Sequence, residues 1–76
     1  MEIKILAFAG SSDAFGFSSR VVACEPQETP LDIARRIAPG LDLENLRVAL
    51  DCEFTTWETP VGHARELAFI PPVSGG

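Results

Sequence analysis

Polar and apolar positions alternate from the start of the chain. Ile3, Ile5 and Ala7 are interleaved with Glu2, Lys4 and Leu6 before Phe8, which predicts an interior strand over residues 2–9 with one well-buried face. Residues 10–19 are rich in turn formers yet carry Phe15 and Phe17, whose rings go either to the edge of the core or to a contact surface for a partner. Residues 20–25, β-branched at the centre and closed by Pro26, predict a second strand antiparallel to the first. A helix then starts at Pro30. Thr29 is a good N-cap, proline suits the first helical position, and Asp32 stands three after the cap, where a carboxylate answers the orphan amides and the helix dipole. Leu31, Ala34, Ile37 and Ala38 form its apolar stripe with Ile33 beside it, Asp32, Arg35 and Arg36 face water, and Pro39-Gly40 ends it.

Residues 41–45 read as a single helical turn or a plain connection. Leu46, Val48 and Leu50 share one face of a third strand over residues 46–51, Cys52-Glu53 forms a turn, and residues 54–57 make a short edge strand broken by Thr59-Pro60-Val61-Gly62. Residues 65–70 are the last strand and run straight into Pro71. This order predicts an α+β, β-grasp (ubiquitin-like) domain: a mixed sheet in which the first and last strands lie parallel, one main helix packs on one face, and the opposite face stays free for binding. The domain covers residues 1–70 and an extended tail residues 71–76.

At 76 residues there is room for one domain, with stability of about 4 to 11 kcal/mol. Hydrophobic residues at 46% support a packed core over disorder. No apolar run approaches a membrane span and no signal-peptide pattern opens the chain, so the expected location is the cytoplasm. Eleven acids against six scattered bases give a net charge of −5, which argues against nucleic acid and favours partners with a basic or apolar face. Cys24, Cys52 and His63 are too few and too dispersed for a metal site; the cysteines read as reduced thiols, Cys24 on a core face and Cys52 near a turn. Asp51 and Glu53 near one turn are surface acids or, less simply, a carboxylate pair.

The chain runs out in Pro71-Pro72-Val73-Ser74-Gly75-Gly76. The two prolines fix φ at about −65° and favour an extended course, while the glycines pass where any side chain is too wide. Fully extended, such a segment reaches at most about 20 Å, enough to enter a partner's active site while the domain stays outside. The reactive group is then the carboxylate of Gly76. Being ionised at neutral pH, it is a poor electrophile and reacts with a nucleophile only after activation.

The segment from Glu66 to Gly76, Glu-Leu-Ala-Phe-Ile-Pro-Pro-Val-Ser-Gly-Gly, resembles the C-terminal signature of the molybdopterin synthase small subunits (MoaD), ubiquitin-like sulfur carriers related to ThiS. Looser similarity covers residues 3–9, 29–37 and 46–51. The chain departs from the family in having Ala64-Arg65 where Gly-Asp is usual, Asp51 where Asn commonly ends the third strand, and no arginine-containing segment after the first strand. None of these touches the tail.

The resemblance implies that an E1-like enzyme adenylates Gly76 with ATP, that a sulfurtransferase persulfide then yields a thiocarboxylate there, and that Pro71, Pro72, Val73, Ser74 and Gly75 insert into the large subunit of molybdopterin synthase. Two such carriers donate sulfur in turn to a pyranopterin, giving the dithiolene that holds molybdenum. The chain is then no enzyme by itself and binds no cofactor or metal; ATP belongs to the activating partner. Three other readings stay open: a carrier for a thiamine-like pathway, a ubiquitin-like conjugation tag, and an interaction domain with an inert tail. Phe69, beside the tail root, is either a docking residue or a core residue.

Overall fold

The computed structural model describes residues 1–7, 19–40, 43–44 and 46–70. Strands β1 (Glu2–Ala7), β2 (Ser19–Ala23), β3 (Arg47–Leu50), β4 (Glu53–Thr55) and β5 (Glu66–Ile70) form one five-stranded sheet in the order β2-β1-β5-β3-β4, with helix α1 (Pro30–Ile37) between β2 and β3 in sequence. Strands β1 and β5 are parallel, with Ile5 opposite Leu67 and Ala7 opposite Phe69. The neighbouring pairs β1–β2, β3–β5 and β3–β4 are antiparallel. Among the described residues this is the mixed sheet with one crossing helix of a β-grasp fold, as the element order predicts.

The alternation in β1 does what its pattern requires: Ile3, Ile5 and Ala7 are buried with Val22, Val48, Leu67, Phe69 and the helix residues Ile33 and Ala34 in one cluster. An eight-residue helix is too short to persist alone in water, so this burial and its caps hold it. The predicted capping box is present. The Thr29 hydroxyl accepts from the Asp32 N–H at 3.2 Å, and the Asp32 carboxylate accepts from the Thr29 N–H at 3.1 Å. The buried stripe is rotated from the expected one: Pro30, Ile33 and Ala34 are sealed while Leu31 and Ile37 are half-buried. The ring of Pro30 counts as apolar surface, and the 3.6-residue period then centres the face on Ile33 and Ala34. At the far end, the Ala38 N–H bonds to the Ala34 carbonyl at 2.8 Å and Gly40 takes φ +91°, a conformation that glycine accepts without strain.

Strand ends are shorter than the sequence pattern suggests. Strand β2 stops at Ala23, although Cys24 still exchanges hydrogen bonds with Met1, at 2.8 Å from its N–H and 3.0 Å to its carbonyl. Strand β4 covers Glu53–Thr55, which leaves Trp57 beyond it, stacked on Phe69 with ring centroids 5.7 Å apart. Of residues 41–45 only Leu43 and Glu44 are described, and the Leu46 N–H bonds the Leu43 carbonyl at 3.1 Å across a single turn. Phe15 and Phe17 lie outside the described residues.

The β3–β4 turn falls one residue earlier than predicted. Asp51 and Cys52 carry it, with φ of +49° and +70°, the left-handed pair that a tight two-residue hairpin demands. Asp51 also fastens the start of β5. Its Oδ1 accepts from the Arg65 and Glu66 N–H groups at 2.9 and 3.1 Å, while its own N–H donates to the Glu66 carbonyl at 3.0 Å. Asn, usual here in the resembling family, shares both abilities: a side-chain oxygen acceptor and tolerance of positive φ. Asp51→Ala, which loses both abilities, is therefore expected to destabilise the fold by roughly 2 to 4 kcal/mol in urea denaturation, and Asp51→Asn by about 1 kcal/mol or less.

Candidate functional site

The predicted tail residues Pro71, Pro72, Val73, Ser74, Gly75 and Gly76 lie outside the described residues; the strand that leads to them does not. Strand β5 is the middle strand of the sheet, hydrogen-bonded to β1 on one side and β3 on the other up to Ile70, which pairs with Arg47. Its run Leu67-Ala68-Phe69 is buried throughout. A strand hydrogen-bonded along both edges, with one face sealed in the core, is the hardest element of a sheet to peel away, so Ile70 is a fixed root.

Phe69 is fully buried, at 0% exposure, with its ring stacked on Trp57 beneath the helix layer. Of the two readings of this residue the core one therefore holds. Parity explains it: Leu67 and Phe69 share a face, and that face carries Val48 and Leu50 across the β3 pairing. A sealed ring has no area to offer a partner.

The surface at the tail root is the opposite face. By register, Leu6 of β1, Ala68 of β5, Ala49 of β3 and Phe54 of β4 make a row across the sheet on the side away from α1. Together with Cys52, Glu66 and Ile70 they line a shallow, mostly apolar pocket of about 190 Å³. Phe54 is 70% exposed, the most exposed large apolar side chain among the described residues, and Ile70 places the tail root on the same pocket. Sequence reasoning left these residues aside because it assigned each strand one buried face. The signal was there: apolar Leu6, Ala49 and Ala68 occupy positions that an ordinary solvated face fills with polar side chains. Lys4, Glu66 and Arg47 share that face by register and edge the apolar row with charges of both signs.

The other chemistry-bearing side chains lie apart from this face or act structurally. Asp51 is engaged by backbone N–H groups, and Glu53 is exposed on β4. His63 is exposed in the segment before β5. Among the described residues no group of three or more His, Cys, Asp and Glu side chains is placed to share a metal ion, and no helix is long and apolar enough to cross a membrane.

Cys24 is buried and Cys52 exposed, as their positions predicted, and both are free thiols. Burial, and after it the Glu28 carboxylate, push the Cys24 thiol above its ordinary value of 9.0, against smaller opposing contributions from the Met1 amino group and Arg36. Cys24 is accordingly a protonated core residue at neutral pH, not a nucleophile. A thiol whose pKa is raised by folding contributes stability that is present below its unfolded pKa and lost as pH climbs through the folded value. Denaturation midpoints should thus fall as pH rises past about 9, with a shallower fall in Cys24→Ala. In thiol titration of the folded protein, Cys52 reacts at once and Cys24 only as the chain unfolds.

No curated protein matches the sequence. Solved structures do match in fold. SAMP1 from Haloferax volcanii superimposes with a TM-score of 0.77 over 100% of both chains at 21% identity. The small archaeal modifier protein 1 of Methanosarcina acetivorans gives 0.74 over 99% of this chain and 96% of its own at 19% identity. A Pyrococcus furiosus protein carrying the name molybdopterin converting factor, subunit 1, gives 0.76 over 96% and 99% at 15% identity. At such identities the likeness speaks for the fold alone, the ubiquitin-like β-grasp. The sequence itself matches the ThiS family over residues 13–76, a span that includes β2 to β5 and the Gly-Gly end, and the chain therefore belongs to the ThiS family of ubiquitin-like sulfur carriers.

Proposed function

We propose that this chain carries sulfur on Gly76 and donates it as the small subunit of molybdopterin synthase. The observation that carries the reading is the junction of a centrally held β5 with the sequence Pro71-Pro72-Val73-Ser74-Gly75-Gly76. Membership of the ThiS family and the fold likeness to a protein named as a molybdopterin converting factor subunit support it. In this scheme an E1-like enzyme transfers AMP from ATP to the Gly76 carboxylate, which turns an inert anion into an acyl electrophile. The outer sulfur of a sulfurtransferase persulfide then displaces AMP to give an acyl disulfide, and a second thiol of the partner attacks the inner sulfur, which forms a protein disulfide and releases the Gly76 thiocarboxylate.

The domain's part is positional. Residues 71–75 thread the partner's channel, and the cost of ordering them, on the order of 1 to 2 kcal/mol per residue and less at proline, is offset by backbone hydrogen bonds in the channel and by docking of the body. Phe54, Leu6 and Ile70 on the outer face are the docking residues of this proposal, in place of Phe69. A second reading, a covalent modifier that ends in an isopeptide bond to lysine, draws on the likeness to the small archaeal modifier proteins. Both readings begin with the same adenylation and part afterwards.

In a strain lacking its own small synthase subunit, the full chain is expected to restore dithiolene-bearing pterin, and a chain without Gly75 and Gly76 to restore none. Lysine conjugates without any pterin would overturn the synthase role in favour of the modifier. Phe54→Asp should raise the half-saturating carrier concentration in ATP–pyrophosphate exchange by about tenfold or more while leaving the fold intact, because the ring is exposed. Unchanged exchange would remove the outer face from the docking account.

A further inference from the structure

A second concave surface lies on the other side of the molecule, where the first turn of α1 meets the segments before β3 and after β4. Leu31, Leu43 and Trp57 give it an apolar floor, Glu44 and Glu58 are its charged lining, and its volume is about 260 Å³. We propose that this pocket receives an arginine side chain of a protein partner. The proposal goes beyond the sulfur-carrier reading and does not rest on it.

The argument starts with Trp57. Its indole is stacked on the buried ring of Phe69 at 5.7 Å and 26°. Its carbonyl is held by the Leu31 N–H at 3.2 Å, so ring and backbone are both fixed. An aromatic surface held in advance binds without a large ordering cost. A guanidinium stacks on an indole, forks onto a carboxylate through paired N–H donors, and trails three methylenes that need an apolar surface. The pocket supplies all three complements: the indole of Trp57, the carboxylate of Glu58, and the side chains of Leu31 and Leu43, with Glu44 adding negative charge beside them. Among the described residues no Lys or Arg lines it, and the chain as a whole carries −5, so the local field favours a cation.

The nearby N-terminus of α1 carries positive partial charge and favours an anion instead, yet its donors are spent. The Leu31 N–H is bonded to Trp57, and the Asp32 N–H to Thr29, while the Asp32 carboxylate sits in the same turn. A lysine would keep the charge but lose the planar stacking and the fork.

Trp57 is the only tryptophan, so its emission reports on the pocket directly. The full chain is titrated at low salt with acetyl-Gly-Arg-Gly-amide and with its lysine and citrulline counterparts, the last nearly isosteric but uncharged. The arginine peptide should give a saturable change in emission with a dissociation constant of about millimolar order, weakening as salt is added. The citrulline peptide, and the arginine peptide on Glu58→Gln or on Glu44→Gln/Glu58→Gln, should bind about tenfold more weakly or worse, with the circular dichroism spectrum unchanged. No saturable change with the arginine peptide, equal binding of arginine and citrulline peptides, lysine binding as tightly as arginine, or unaltered binding to the double variant would each overturn the assignment.

Discussion

The seam at which β5 enters between β1 and β3 is the constraint on which the other features of this protein depend. It joins Lys4 to Glu66 and Ala7 to Phe69 on one side, and Val48 to Phe69 and Leu50 to Leu67 on the other. Contacts so far apart in sequence carry a loop-closure cost before they contribute anything, and the β1–β5 pair is parallel, the slower kind to form. Burial of Leu67 and Phe69 against Ile3, Ile5, Val48 and Ile33 offsets that cost. Asp51 adds a polar clasp where β5 begins, and Ile70 is still paired where it ends. The sequence that follows is therefore attached to the most constrained strand of the sheet.

That constraint also divides the surfaces. The face toward α1 is sealed, and Phe69 there serves only the core. On the other face, the small side chains of Ala49 and Ala68 leave a shallow floor between Leu6 and the exposed ring of Phe54, with Ile70 at its margin. Under the proposed sulfur-carrier function, such a division keeps docking apart from the packed core. In the proposed function the body stays rigid, its buried thiol stays protonated, and docking falls on the face where β5 ends.

Much of this was legible in the residues, for identifiable reasons. The period-two pattern of β1 and the Thr29-Pro30-Asp32 cap are local signals, and each appears in the structure as expected. The β-grasp arrangement was read from the element order on the condition that the first and last strands lie side by side and parallel, and they do. The direction of Phe69 was not legible, because its parity on β5 shows which residues share its face but not which face looks inward. The Asp51-Cys52 turn was missed by one residue because neither side chain announces positive φ as glycine does. The face opposite the helix was expected to stay free for binding, but Phe54 was placed only in a short edge strand, because the side of the sheet that its ring takes depends on the register with β3. The Trp57 stack belongs to tertiary packing, for which the sequence offers no local cue.

Intact-mass analysis of the chain coexpressed with its E1-like enzyme and a sulfurtransferase, followed by fragmentation to place the change, tests the central claim most directly. The account predicts a population in which one oxygen of Gly76 is replaced by sulfur, and which is lost when ATP turnover by the E1-like enzyme is abolished. An unmodified carboxylate under conditions that consume ATP, or Gly76 found solely in isopeptide linkage to lysine, would contradict it.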